Sequence, residues 1–158
     1  MKTTLTIIFI SFSSICLSQG DLKIKQIDAL VLNINTSLIP IQRDTLIQDY
    51  PEMGLKMITY LSMIIDDRKL LKYENLVKTT RKETAGTREM TTSSSFYYDD
   101  NKLIKVEEFL MEGGDKKTMD WYYSEDKALH YTLQSDKAAD RATFLITLGK
   151  EMLKKVIK

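Results

Sequence analysis

The chain has 158 residues, of which 43% are apolar and 28% are charged, and its formal net charge is +1. This length suits one domain with its own core, and the apolar fraction excludes wholesale disorder. A net charge this close to zero does not favour binding to nucleic acid or to anionic lipid, because both attractions depend on clustered positive charge.

The first eighteen residues have the layout of a secretory signal peptide. Lys2 supplies a positive start, residues 5–17 form an apolar run, and Cys16 and Ser18 are the small residues of a cleavage site. Cleavage after Ser18 or after Gly20 fits the pattern equally well. The sequence therefore divides into a signal peptide over residues 1–18 and a single domain over residues 19–158.

Two other interpretations of this segment are disfavoured. The apolar run is shorter than the roughly 20 residues that span a bilayer, so no stable membrane insertion is expected after cleavage. Lipidation at Cys16 is disfavoured because Ile15, rather than a small residue, precedes it.

The composition of the chain after cleavage is more typical of a protein exported by a Gram-negative bacterium than of a secreted eukaryotic domain. Cleavage removes Lys2, which leaves 23 − 1 = 22 basic residues against 22 acidic ones, and it removes the only cysteine. Small secreted eukaryotic domains are commonly held together by disulfides, whereas this domain would have none. We therefore expect a periplasmic or secreted protein.

An amphipathic helix opens the domain. Asp21 is placed to cap it, and Pro40 ends it. Its apolar stripe consists of Ile24, Ile27, Leu30, Val31, Ile34 and Leu38. Residues 39–54 are interpreted as a connector, with a short helix over residues 45–50 as an option.

A turn pattern that occurs three times predicts an antiparallel β-meander. Asp66-Asp67-Arg68, Asp99-Asp100-Asn101 and Ser124-Glu125-Asp126 each separate two runs of β-favouring residues. Further turns are expected at Ala85-Gly86 and Gly113-Gly114. The predicted strands are residues 55–65, 69–82, 88–98, 102–111, 116–123 and 127–134. Short loops force neighbouring strands to pair, which gives a six-stranded meander.

A second amphipathic helix closes the chain. Ser135 or Asp136 caps it, and its apolar stripe is Ala138, Ala142, Leu145, Leu148, Met152 and Val156. Gly149 interrupts it, which indicates either a kink or a close backbone contact. The fold class is therefore α+β, with both helices packed on one face of the sheet.

The turn positions predict which residues face each other across the sheet. They place Tyr98 opposite Leu103, and Trp121 opposite both Val106 and His130. In this register, the face that carries His130 and Trp121 is covered by the helices. The other face is rich in aromatic residues and carries the predicted binding residues, namely Phe96, Tyr98, Lys105, Glu107, Asp120, Tyr122 and Tyr131.

The sequence contains few residues that could form a catalytic site or a metal site. His130 is the only histidine and is predicted to be a packed structural residue, and without a cysteine a zinc site is improbable. Glu107 and Asp120 are predicted to lie opposite each other, where one carboxyl pKa would rise, but Lys105 beside them favours a surface ion pair instead. No catalytic residue, metal site or cofactor is predicted.

The sequence favours a non-enzymatic binding module that presents the aromatic-rich face to a protein or a small molecule. The alternatives are an envelope protein that self-associates through this face as a homodimer, and a hydrolase that uses the two carboxylates. A signal peptide followed by a helix, a meander and a closing helix resembles the layout of small exported proteins of Gram-negative bacteria. That resemblance rests on architecture alone and assigns no functional residue.

Overall fold

A computed structural model describes residues 19–156 and shows an α+β fold. The predicted signal peptide, residues 1–18, therefore lies outside the described residues. The first described element, α1, begins at Gln19. The elements are α1 (Gln19–Thr36), β1 (Ile41–Tyr50), β2 (Leu55–Asp66), β3 (Lys69–Glu83), β4 (Gly86–Asp99), β5 (Lys102–Glu112), β6 (Asp115–Ser124), β7 (Lys127–Tyr131) and α2 (Ala138–Val156), with a 3₁₀ turn at Pro51–Met53.

The seven strands form one antiparallel sheet in chain order. The predicted meander is confirmed, but the count of six strands is wrong because residues 41–50 form β1 rather than a connector or a short helix. β1 lies at the edge of the sheet and almost all of its residues are exposed. It therefore lacks the alternation of apolar and polar residues that reveals a strand buried on one face.

The three predicted turns are confirmed, and each carries an additional feature. Both central residues of each turn have positive φ, as a two-residue hairpin requires: Asp67 and Arg68, Asp100 and Asn101, and Glu125 and Asp126. A β-bulge follows each turn at the same distance, so that one residue has no partner in the ladder: Leu71, Ile104 and Leu129. The three hairpins are thus repeats of one unit, with turn and bulge together.

The bulges correct the predicted register. Tyr98 does pair with Leu103, and Val106 does pair with Trp121. Trp121, however, pairs with Tyr131, because the bulge at Leu129 moves His130 opposite Tyr122. His130 is exposed rather than packed in the core. The β3–β4 turn lies at Thr84-Ala85, one residue before the predicted Ala85-Gly86, so that Glu83 pairs with Gly86.

The two helices cover opposite faces of the sheet, so the prediction that both pack on one face is wrong. Ile27, Val31 and Ile34 of α1 pack in one buried cluster with Ile64, Tyr97, Ile104 and Tyr122. Ala138, Ala142 and Leu145 of α2 pack in another with Leu70, Phe96, Tyr98, Leu103, Val106, Trp121 and Tyr123. We call these two sides of the sheet the α1 face and the α2 face.

The physical reason lies in two uninterrupted aromatic runs, residues 96–98 and 121–123. Successive side chains on a strand point to opposite faces, so each run places large apolar groups on both sides of the sheet. One helix cannot cover both faces, and each face therefore takes its own helix.

Gly149 marks a close contact between α2 and the sheet, which decides between the two predicted explanations. A Cβ atom at this position would lie 3.1 Å from Leu103 Cδ2 and 3.5 Å from Phe96 Cδ1. The Tyr98 hydroxyl also donates a hydrogen bond to the Gly149 carbonyl oxygen at 3.0 Å. The glycine allows the helix backbone to approach the aromatic core directly.

Candidate functional site

The seven predicted binding residues divide between the two faces of the sheet. Lys105, Glu107, Asp120 and Tyr122 come together on the α1 face, where Lys105 pairs with Tyr122 and Glu107 pairs with Asp120. The predicted opposition of the two carboxylates is confirmed. These four residues form one neighbourhood beside α1.

The other three predicted residues, Phe96, Tyr98 and Tyr131, belong to the α2 face. Phe96 and Tyr98 are completely buried in the core beneath α2. Tyr131 is half-buried, and its ring lies 5.6 Å from that of Trp121. Phe96 and Tyr98 therefore have no surface to offer a ligand in this fold.

Lys105 is the centre of the neighbourhood on the α1 face. Only 6% of its surface is exposed. Its Nζ lies 3.0 Å from Asp28 Oδ1 and 3.0 Å from Glu107 Oε1, and 4.8 Å from the ring centre of Tyr122. Burial lowers its pKa, but the hydrogen bonds to Glu107 and Asp28 outweigh burial, so the pKa is raised above the ordinary lysine value.

Tyrosine hydroxyls complete this network. Tyr122 donates to Asp28 Oδ1 at 3.0 Å, and Tyr97 donates to Glu107 Oε2 at 2.9 Å. Asp28 belongs to α1, so the network joins that helix to β5 and β6. We therefore expect it to help hold α1 on the sheet.

A second lysine repeats the same arrangement one hairpin earlier. Lys72 lies 5.2 Å from the ring centre of Tyr97, and its Nζ donates to Asn35 Oδ1 of α1 at 3.2 Å. Lys72 and Lys105 each follow the bulge residue of their hairpin, and His130 occupies the same place in the third. The bulge therefore brings one basic residue of each hairpin onto the α1 face.

The carboxylates of Glu107 and Asp120 line a shallow cavity of 340 Å³, together with Ser93, Ser95 and Thr118 among others. Burial raises the pKa of Asp120, and the negative charge of Glu107 adds to this while Lys105 opposes it. Both oxygens of Glu107, however, already accept hydrogen bonds or ion pairs from Lys105 and Tyr97. In this pair, Glu107 is therefore engaged by Lys105 and Tyr97, whereas Asp120 has a raised pKa.

A buried acid on the α2 face was not singled out in the sequence. Glu108 accepts a hydrogen bond from Trp121 Nε1 at 3.0 Å and forms an ion pair with Arg141 of α2. It borders a cavity of 540 Å³ between the start of α2 and the strands β4–β6. The sequence provided one indication of this ion pair, because Glu108 and Arg141 belong to a strand and a helix that were predicted to pack together.

The α2 face extends beyond the helix that covers its aromatic end. α2 packs on the end of the sheet that carries the three repeated turns. Towards the opposite end lie aliphatic and methionine side chains that are half-buried or exposed and belong to neither buried cluster. We call this set the open face, and it comprises Leu46, Met57, Leu61, Val77, Met90 and Leu110.

The strand register makes the open face continuous. Leu46, Thr59, Val77, Thr92 and Leu110 form one row across β1 to β5. A second row continues towards the open end and contains Met57, Thr79 and Met90. Gln48 and Glu112 end the second row, and Leu61 lies between Asp44 and Asn75. The apolar part of the open face is therefore centred on the row from Leu46 to Leu110.

The described residues contain no group of three or more histidine, cysteine or acidic residues that could hold a metal ion. Across residues 19–156, neither helix is long and apolar enough to cross a membrane. No known protein family, curated protein or solved structure matches the chain.

Proposed function

We propose that the chain is an exported, non-enzymatic binding module whose open face receives a protein partner. The observation that carries this proposal is the row of apolar and threonine side chains from Leu46 to Leu110, which neither helix covers. Contiguous exposed apolar patches on soluble proteins commonly mark interaction sites. This surface differs from the aromatic surface predicted from the sequence, because Phe96, Tyr98 and Tyr122 are buried.

The shape of the open face favours a protein over a small molecule. Sites for small molecules enclose most of the ligand surface within a cleft. The open face spans five strands, and a small molecule lying on it would keep its outer side in water. A protein surface can cover the whole area, and the two methionines suit such a contact because their side chains adapt to the shape of a partner.

The N-terminal residues support export of this module. The positive start, the apolar run and the small residues near position 18 are those of a cleaved signal peptide. Mass spectrometry of the mature protein from its native source should give an N-terminus at Gln19 or Asp21. An intact N-terminus on the mature protein would contradict export by this route.

The binding proposal can be tested with two residues that are neighbours on β3. Val77 points to the open face and Leu76 to the opposite face, and both are half-buried. A photocrosslinking residue placed at each position in turn would be activated in the native envelope fraction. Position 77 should give one saturable crosslinked protein, and position 76 should not.

Variants then connect the crosslink with affinity. Val77→Lys places a charge in the apolar row and should reduce binding of the captured, purified protein at least about tenfold, as expected for a charge buried in an apolar contact. Leu76→Lys is the matched control and should leave binding unchanged. Equal loss in both variants, or saturable capture from position 76 alone, would exclude the open face as the site.

One observation supports a hydrolase as the second candidate, namely the raised pKa of Asp120 beside Glu107. A general acid of this kind has to remain protonated near the pH at which the enzyme works. Carboxyl NMR titration of the folded chain decides the question. A midpoint for Asp120 below about pH 5 would remove this candidate, since the group would then be ionised at neutral pH.

A further inference from the structure

The β1 strand, Ile41–Tyr50, forms one edge of the sheet, and no helix or further strand covers it within residues 19–156. Every residue except Gln48 is exposed, including Leu46 at 53% and Ile47 at 61%. Its ladder with β2 is regular over all ten residues, without a bulge. It contains no lysine and no proline, and its charged residues are Arg43, Asp44 and Asp49.

The opposite edge is different. β7 has only five residues, its ladder with β6 contains a bulge, and α2 packs beside it. Short length, a bulge and a covering helix are the usual devices that prevent a strand from pairing with another chain. The protein protects one edge in this way and leaves the other available.

The outer backbone groups of β1 are ready for pairing. The Thr45 N–H donates to Asp44 Oδ1 at 2.7 Å. This bond indicates that the Thr45 N–H faces away from β2, and odd-numbered residues share that orientation because backbone groups alternate along a strand. The exposed Asp44 carboxylate can be solvated by water instead, so a backbone carbonyl of a second strand can replace it as the acceptor.

The charges of β1 are arranged symmetrically about Leu46. Arg43 lies three residues before Leu46 and Asp49 lies three residues after it. In an antiparallel pair of two β1 strands centred on Leu46, Arg43 of each copy faces Asp49 of the other. Neither residue takes part in any of the ion pairs found within residues 19–156.

We propose that β1 is a homodimerisation edge, which pairs antiparallel with β1 of a second copy in the register centred on Leu46. Residues directly opposite must point to the same face, so the neighbouring allowed registers differ by two residues. One of these places Arg43 opposite Ile47, and the other places it opposite Pro51. The register centred on Leu46 pairs both charges, and by symmetry it does so twice.

The dimer would also enlarge the surface proposed for partner binding. A two-fold axis perpendicular to the sheet keeps like faces together, so the two open faces meet at the paired Leu46 side chains. The oligomeric state is measured without any partner protein. The dimer can therefore be confirmed or excluded independently of the function proposed above.

Charge reversal provides a test in which loss can be restored. In Arg43→Asp, both interchain pairs become acid against acid, and in Asp49→Arg both become base against base. Like charges directly opposite destabilise strand pairing, so each variant should dimerise about tenfold or more weakly than the unaltered chain. An equimolar mixture of the two variants places acids opposite bases again and should form a heterodimer.

Sedimentation velocity over a roughly hundredfold range of concentration would measure these states, because dimer formation depends on concentration. Lys117→Asp makes the same change of charge at an exposed position on β6 and should leave the dimer unchanged. Circular dichroism checks that each variant remains folded. A monomeric unaltered chain, single variants that dimerise normally, or a mixture that stays monomeric would each overturn the proposal.

Discussion

Replacement of Lys105 by methionine removes the centre of the network that docks α1. Methionine keeps much of the apolar length of the side chain, so the change isolates the ammonium group. The group lies 3.0 Å from one oxygen of Asp28 and 3.0 Å from one oxygen of Glu107. Both contacts are lost together in Lys105→Met.

The expected loss of stability is about 2 kcal/mol at pH 7. A hydrogen bond to a charged group contributes about 1.5–3 kcal/mol, and removal of one partner from a fully buried ion pair costs about 3–5 kcal/mol. The cost falls below that upper range because Asp28 and Glu107 remain 46% and 37% exposed. Each acid also keeps its hydrogen bond from a tyrosine.

The effect should depend on pH in a definite direction. The folded-state pKa of Lys105 is raised, because the hydrogen bonds to Glu107 and Asp28 outweigh the opposing effect of burial. Stabilisation by such a group is complete below the unfolded-state pKa, about 10.5, and is lost as the pH rises through the folded-state value. The difference between Lys105→Met and the unaltered chain should thus be constant from about pH 7 to 9 and shrink above about pH 10.5.

Urea unfolding measures this difference, and Lys102→Met at the exposed start of the same strand is the control. The control should change the free energy of unfolding by less than about 0.5 kcal/mol. A double-mutant cycle with Asp28→Asn should show coupling of about 0.5–2 kcal/mol between α1 and the sheet. If Lys105→Met were as stable as the control, the network would not hold α1 in place.

Two further substitutions test the packing of α2 and the carboxylate pair. Gly149→Ala gains about 1 kcal/mol of helix propensity, but the added Cβ crowds Leu103, which costs about 1–3 kcal/mol. Calorimetry should therefore show a Tm no higher than that of the unaltered chain. A Tm higher by several degrees would show that the contact between α2 and Leu103 is loose. Asp120→Asn should raise the free energy of unfolding at pH 7, because burial and then the charge of Glu107 raise the folded-state pKa and ionisation therefore costs stability. That gain should disappear as the pH falls below the ordinary aspartate value of 3.8, and a gain independent of pH would contradict the cause given.

The parts of the fold that were predicted correctly depend on local chemistry. Asp100 and Asn101 tolerate positive φ, so the turn they form can be recognised without knowledge of its surroundings. The stripe of α2 is equally local, because residues three and four apart share one face of a helix. Three hairpins and two helices follow from such signals.

The parts that were not predicted depend on pairing between distant segments. The bulge at Ile104 is defined only by the strand opposite, and it determines that Lys105 faces α1. For the same reason, the contacts of Lys105 with Asp28 could not be anticipated, since the two residues are 77 positions apart. One usable signal was present: Lys72, Lys105 and His130 occupy the same position in the three repeated hairpins.

The buried clusters and the surfaces proposed for association lie on different parts of the sheet. Both buried clusters lie at the end that carries the three repeated turns, where the aromatic runs at residues 96–98 and 121–123 are covered on both sides. The open face and the β1 edge lie outside these clusters, so changes there remove little buried apolar area. We therefore expect Val77→Lys and Arg43→Asp to remain folded, so that a loss of association in either variant can be interpreted as a loss of contact.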